Sequence, residues 1–239
     1  MYNARTAAIY DLLYAANGST PLRDVRAEAA RVMAEVRAAK PDASSLLDVG
    51  CGTGRYLPYV DPGMTIHGLD LNADFLAVAR ERCPSAVFHE GDMEEFDLGR
   101  RFDAITCLFS SIGYVVTPER LSRALEGFSR HLAPGGVVII EPWFSPEAFW
   151  DGHVSANFVD RPEVKVAWMY RQDRDGNVSR LDIHYLVAST AGVEHFSELH
   201  ELGLFTQEEY TRAMTDVGLR VTFDPVGFGR GLYVGVAEA

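Results

Sequence analysis

The chain has 239 residues, 47% of them apolar and 23% charged, which suffices for one well-buried α/β domain with an inserted subdomain and gives no reason to expect extended disorder. A formal net charge of −12 without any cluster of Lys and Arg argues against a nucleic-acid polymer as partner, because phosphate binding asks for local positive charge. The longest apolar run, around residues 137–140, is far short of the ~20 residues that span a bilayer, and the N-terminus shows no basic region followed by an apolar core, so a cytoplasmic protein with no membrane partner is expected.

Residues 5–16 carry apolar spacing that predicts a helix, and 24–39 predict a second, ended before Pro41, with the NGST-Pro segment as the loop between them. The rhythm then changes. Short apolar strands are predicted at 45–49, 65–70, 86–89, 102–108 and 136–141, alternating with helical stretches at 55–60, 73–82 and 118–132, the last stopped by Pro134-Gly135-Gly136. Strand alternating with helix predicts a doubly wound α/β sheet, mostly parallel, with helices on both faces. From 164 onward two alternating segments flank Asp175-Gly176-Asn177, a strong hairpin signal, and 195–205 offers a third strand. A helix follows over 206–217, with Thr206 as its N-cap and Gly218 as its stop, and strands at 220–223 and 231–236 close the chain. Residues 145–201 are thus predicted to be an antiparallel β insertion, placed to act as a lid over the sheet's carboxyl edge. Cys51, Cys83 and Cys107 are odd in number, widely spaced and never paired as CxxC, so free thiols are expected and no metal site.

The stretch DVGCGTG, residues 48–54, puts Gly50, Gly52 and Gly54 between a strand and a helical stretch, where a nucleotide-binding turn needs a sharp backbone and close ligand approach. Asp70 closes the next strand about 20 residues on, placed to accept from the two hydroxyls of a ribose. The spacing departs from the dinucleotide GxGxxG pattern, and Asp48 sets a carboxylate where a pyrophosphate would be repelled and an amino group welcomed. A ligand with ribose, adenine and ammonium but no phosphate is S-adenosylmethionine. Taken singly, each residue has a plainer reading: a turn for the glycines, a helix cap for Asp70 or Asp92.

DVGCGTG, LDLN at 69–72, GDMEEF at 91–96, FDAITCLFSSIGY at 102–114 and LAPGGVVIIEP at 132–142, in that order, resemble the class I methyltransferases. The resemblance implies that Asp92 and Met93 border the adenine, with Asp92 accepting from its exocyclic amine. Leu71 would lie on the ribose and adenine edge, and Phe109 and Ser110 would form the floor beneath the sulfonium. A narrower resemblance runs almost end to end: YDLLY, CLFSSIGY, EPWF followed by PEAFWDG, RLDIHYLVA and GRGLYVGV. These are similar to the N,N-dimethyltransferases of dTDP-linked amino-deoxysugars, which make dimethylamino sugars such as desosamine and mycaminose for antibiotics. That family implies a dTDP-linked amino sugar as acceptor, Tyr14 at the end of the YDxxY element, Arg23 reaching the cofactor carboxylate, Arg230 gripping the nucleotide diphosphate, and a homodimer. The chain departs from the family in lacking the arginine before Arg23 and in reading PVGFGRGLY around Arg230.

Methyl transfer from a sulfonium is an in-line displacement that needs a neutral amine and no protonation of the leaving group. Holding the reactants in line is then enough, and Tyr14 and Tyr114, poor bases at neutral pH, are expected to orient the amine. His184 and His200 are placed on lid strands, where either takes the departing proton or simply hydrogen-bonds within the sheet. Trp143 and Phe144 stack on the nucleotide base, wall the sugar, or fill core. Two other functions stay open at this point: methylation of a different small molecule, and a non-catalytic protein that binds S-adenosylmethionine.

Overall fold

A computed structural model describes Tyr2, residues 4–14 and residues 24–238. Two helices, α1 (Ala4–Leu13) and α2 (Val25–Ala39), precede β1 (Ser45–Val49), β2 (Thr65–Asp70), α3 (Ala73–Arg82), β3 (Val87–Glu90), β4 (Phe102–Cys107), α4 (Pro118–Arg130) and β5 (Leu132–Ile140). Four long strands follow, β6 (Val154–Asp160), β7 (Val164–Asp175), β8 (Val178–Ser189) and β9 (Gly192–Gly203), and then α5 (Gln207–Asp216), β10 (Leu219–Asp224) and β11 (Leu232–Ala237). The predicted helix at 55–60 is a single 3-10 turn, Leu57–Tyr59.

Seven strands form one sheet in the order β10-β11-β5-β4-β1-β2-β3, in which β1 to β5 run parallel and β11 runs antiparallel to both neighbours. The alternation of a strand sends adjacent residues to opposite faces, so Leu46 packs under α2 while Leu47 packs under α4 and α5. Both leucines are fully buried, each contributing about 1.5–3 kcal/mol. Helix α4 presents Leu121, Ala124, Leu125 and Phe128 to that core at helical spacing, after a Thr117 N-cap and Pro118 in its first turn. The order of the sheet puts the carboxyl ends of β1, β2 and β4 side by side, and the loops leaving them meet there.

Strands β6-β7-β8-β9 make a separate antiparallel sheet. Its inner residues Val159, Val166, Trp168, Leu181, Ile183, Tyr185 and Phe196 form a third core with Ile9 and Leu13 of α1, against which Tyr14, Tyr114 and Trp143 pack. Two boundaries differ from the sequence reading. Strand β5 begins at Leu132, because Ala133 to Gly136 fold as a bulge between the Phe102↔Leu132 and Ala104↔Val137 pairs rather than as a loop. Strand β6 was not predicted; only Val159 of it is buried, so its sequence lacks an apolar alternation and its pairing with β7 defines it. No described helix is long and apolar enough to cross a membrane.

Candidate active site

The turn after β1 holds Gly50, Gly52 and Gly54 at φ +68°, +54° and +67°, values that glycine adopts at little cost. At Gly50 a Cβ would lie 2.6 Å from Ser111 Cβ, so the backbone approaches the next loop as only glycine permits. Gly54 differs: its Cβ would meet Ala79 Cβ at 3.3 Å, which makes it a contact between the turn and α3 rather than a wall of the cleft, contrary to expectation. Asp70 Oδ2 accepts from Gly52 N (2.7 Å) and Oδ1 from Asn72 N (2.8 Å), which ties the end of β2 to the turn. A carboxylate has about four acceptor positions, and with the N–H of Leu71 also acting on Asp70 there is still room for a ribose hydroxyl.

A cleft beside this turn is lined by Gly50, Gly52, Asp70, Leu71, Asp92, Met93, Ser111 and Tyr114, with Tyr2 and Tyr10 at its α1 side. Leu71 stands half-exposed at the mouth. Asp92 is set by an Asx turn in which Oδ1 accepts from Glu94 N (3.0 Å); buried Glu94 in turn receives Arg120 Nε (2.6 Å) and Arg123 Nη2 (2.7 Å). A second compartment shares Gly50, Gly52, Tyr10 and Ser111 and adds Asp48, Glu28, Arg55 and Phe109. Asp48 is 5% exposed and accepts from Thr106 Oγ1 (2.7 Å). Burial pushes its carboxyl up to about 7 against the Thr106 hydrogen bond, and the charge on Asp70 adds to the rise. Burial also raises Asp70, opposed by the backbone N–H groups of Asn72 and Gly52.

The loop after β4 carries Phe109 and Ser110 at φ +56° and +62°, two successive left-handed residues with side chains, each costing about 1–3 kcal/mol. Fully buried Glu141 holds this shape by accepting from Phe109 N (2.7 Å), and Ser110 Oγ donates to the Pro142 carbonyl (2.7 Å). Ser110 is therefore turned away from the cleft and cannot serve as floor; Ser111 faces it instead. The other Glu141 oxygen pairs with Arg230 Nη2 (3.0 Å), and the guanidinium lies over the rings of Trp143 (5.3 Å) and Phe144 (5.6 Å). Arg230 is thus a fixed group rather than a loose surface arginine, one arm is spent on Glu141, and its buried Nε–H has no partner among the described residues. Trp143 Nε1 donates to Ser179 Oγ of β8 (2.8 Å), joining the central sheet to the smaller one.

The Tyr14 ring meets Phe109 edge-on at 4.8 Å and Tyr10 at 4.9 Å, and Arg55 lies 5.8 Å from its centre. Burial pushes the Tyr14 and Tyr114 phenols above their ordinary value, so both keep their protons at neutral pH. Tyr114 Oη lies 2.9 Å from Nδ1 of His200, which is buried. His184 is not brought to the site. Leu181, Ile183 and Tyr185 take the inward positions of β8, and His184 points outward, half-exposed, with Asp182 at 3.5 Å and the His195 ring stacked 5.4 Å away. Arg23 lies outside the described residues. Tyr10, Ser111 and Arg55 were missed by sequence reading, although Tyr10 opens the YDLLY element and Arg55 follows the glycine turn directly. Asp11, also in that element, fastens α1 to the turn by accepting from Thr53 Oγ1 (2.8 Å) and pairing with Arg82.

These residues fit S-adenosylmethionine: two acids for ribose and adenine, a buried acid and an arginine for the two ends of a zwitterionic amino acid, and a backbone that approaches too closely for a side chain. The doubly wound sheet and this glycine cleft define a class I methyltransferase that uses S-adenosylmethionine. Residues 46–136 match a family described as a methyltransferase domain. The chain is 46% identical to the dTDP-3-amino-3,6-dideoxy-alpha-D-glucopyranose N,N-dimethyltransferase of Streptomyces fradiae, across 100% of this chain and 93% of that one. It superposes on Streptomyces venezuelae DesVI with a TM-score of 0.90 at 45% identity, over 100% of both chains. It superposes on CalS10, an amino pentose methyltransferase from Micromonospora echinaspora bound to S-adenosylmethionine, with a TM-score of 0.84 at 39% identity, over 99% and 98%. The chain belongs to the amino-deoxysugar N,N-dimethyltransferase family of class I methyltransferases.

Proposed function

We propose that the enzyme dimethylates the amino group of a dTDP-linked amino-deoxysugar, with a 3-amino sugar the first acceptor to test because the Streptomyces fradiae relative acts on one. The observation that carries this reading is Arg230: a guanidinium braced by a buried glutamate and two aromatic rings, with about a quarter of its side chain (23%) still exposed, suits a phosphate oxygen. The charge of Arg230 is among those that act on Tyr14, which supports an anion site on the Tyr14 side of the cleft. Trp143 and Phe144 then offer surface to the base or sugar.

S-adenosylmethionine supplies an electrophilic methyl whose thioether leaves without protonation. Asp70 and Asp92 take the ribose and adenine, Asp48 the ammonium, and Arg55 the carboxylate, with Gly50, Gly52, Leu71, Met93 and Phe109 completing the wall and Arg23 assisting. Tyr14 and Tyr114, kept protonated, orient the sugar amine; alignment of the reactants supplies ~7–11 kcal/mol. Tyr10 of α1 lines the cleft and the smaller sheet packs on Ile9 and Leu13 of the same helix, which supports that sheet as the roof of the cleft. Outward Phe158, Met169, Leu186 and Leu199 give that sheet an apolar outer surface, which supports a homodimer formed through it. Three buried free thiols agree with a cytoplasmic enzyme.

The test is a panel of 3-amino and 4-amino dTDP-sugars, with products weighed for one or two added methyl groups. Thermal stabilisation by dTDP in the presence of S-adenosylhomocysteine is expected. No response to any nucleotide and no methylation of any amino sugar would overturn the acceptor reading. Light scattering in solution checks the dimer.

A further inference from the structure

Strand β9 points Phe196, Glu198, His200 and Leu202 inward, so two polar side chains sit at successive buried positions of an otherwise apolar face. Burying an ionisable pair is costly, and the roof would pack without it. The pair is connected at both ends. His200 Nε2 lies 3.4 Å from Glu198 Oε2, and Glu198 Oε1 accepts from Thr6 Oγ1 of α1 at 2.6 Å. The opposite ring nitrogen, Nδ1, lies 2.9 Å from Tyr114 Oη, and Tyr114 is a wall of the cofactor cleft. A continuous chain of polar atoms therefore runs from the cleft into the roof.

We propose that His200, ordered by Glu198 and reached through the Tyr114 hydroxyl, receives the proton that the sugar amine must lose between its two methylations. This rests on the amino-sugar reading above. The first transfer leaves a monomethylammonium, which has no lone pair to attack with. Its N–H bond breaks with the electron pair staying on nitrogen. Tyr114 Oη takes that proton as its own passes to the lone pair of His200 Nδ1, and the imidazolium formed is balanced by the Glu198 carboxylate. The proton leaves to solvent when the cleft opens for product release. Glu198 fixes the tautomer, with the hydrogen of neutral His200 on Nε2 and Nδ1 free to accept. Around the imidazole stand Tyr2, whose ring centre is 4.4 Å away, Tyr114 from the loop after β4, Glu198 on its own strand, and Thr6 and Arg5 on α1, the latter over the Phe196 ring. Tyr185 on β8 faces Glu198, and Asp70 acts on Tyr114 from across the cleft.

His200→Gln would be compared with wild type from about pH 6 to 9, with products read by mass and S-adenosylhomocysteine binding measured by calorimetry. Expected are near wild-type binding, a fall in kcat at pH 7 of about tenfold or more, a rise in the monomethyl fraction, and recovery of both toward pH 9, where solvent removes the proton. Tyr114→Phe, which cuts the conduit while leaving His200 and Glu198 in place, should raise the monomethyl fraction in the same pH-dependent way, on top of a pH-independent loss from the amine it orients, and covers the case in which the glutamine variant fails to fold. A pH profile parallel to wild type with an unchanged monomethyl fraction overturns the relay. If wild type methylates no amino sugar, the acceptor reading fails by itself, and the relay is judged on the nitrogen NMR signals of the His200 ring with S-adenosylhomocysteine bound. There a hydrogen on Nε2 that Glu198→Gln displaces supports it, and a ring indifferent to Glu198→Gln overturns it.

Discussion

Replacing Asp48 by Asn tests the electrostatics of the cleft most directly. A carboxyl moved by burial from its ordinary value near 3.9 to about 7 costs about 4 kcal/mol when ionised in the empty enzyme, an upper figure. Because the folded value is raised, the contribution of Asp48 to stability is fully present below about pH 4 and is lost as pH rises to about 7. Asparagine keeps an oxygen for the Thr106 hydroxyl and has no charge to bury. The melting temperature of Asp48→Asn relative to wild type is therefore expected to climb between about pH 4 and 7 and then level off, several degrees above it. His67, pushed down to about 4 by burial and by Arg100, acts oppositely: its contribution is present above about 6.5 and is lost as pH falls through 4. Both proteins share it, so the difference reports Asp48 together with its repulsion of Asp70. The same substitution should weaken S-adenosylhomocysteine at pH 8 by about ten- to a hundredfold, the loss of a charge-assisted hydrogen bond. Scanning fluorimetry and calorimetry at pH 5 and pH 8 read both effects. A melting difference identical at the two values would refute the reasoning, since Asp48 would then be ionised throughout.

Gly50→Ala should abolish detectable cofactor binding by calorimetry and lower stability by at least ~1–2 kcal/mol, because the residue is left-handed and its Cβ meets Ser111 at 2.6 Å. Arg230→Lys is expected to raise KM for the nucleotide sugar about tenfold or more while leaving S-adenosylmethionine affinity unchanged, since a lysine cannot both fork and stack; equal losses for both substrates would contradict it. Thr206→Ala breaks the capping box with Glu209 at the head of α5 and should cost ~1 kcal/mol in urea unfolding, with activity retained.

What could be read from sequence divides along a physical line. Strands β1 and β2 and helix α3 lie within the predicted bounds because local signals agree: an apolar run, a glycine turn, an Asn72 cap, and helical spacing of Phe75, Leu76 and Ala79. The same alternation could have excluded His184, whose neighbours at 181, 183 and 185 are apolar and claim the inner face of β8. Ser110 was beyond reach. Nothing in CLFSSIGY tells that Phe109 and Ser110 turn left-handed, because Glu141 and Pro142, some 30 residues later, impose that shape. Strand β6 was hidden for a related reason, its structure being supplied by the partner strand and not by its own residues.

The smaller sheet has a core of its own, shared with α1 and distinct from the two that sandwich the central sheet. On the function proposed above, point changes among its inner strands would alter the acceptor side while leaving Asp48, Asp70 and Asp92, which belong to the other sheet and its loops, in place. Acceptor preference in such an enzyme is free to drift through evolution on a scaffold whose methyl-donor chemistry does not have to be reinvented.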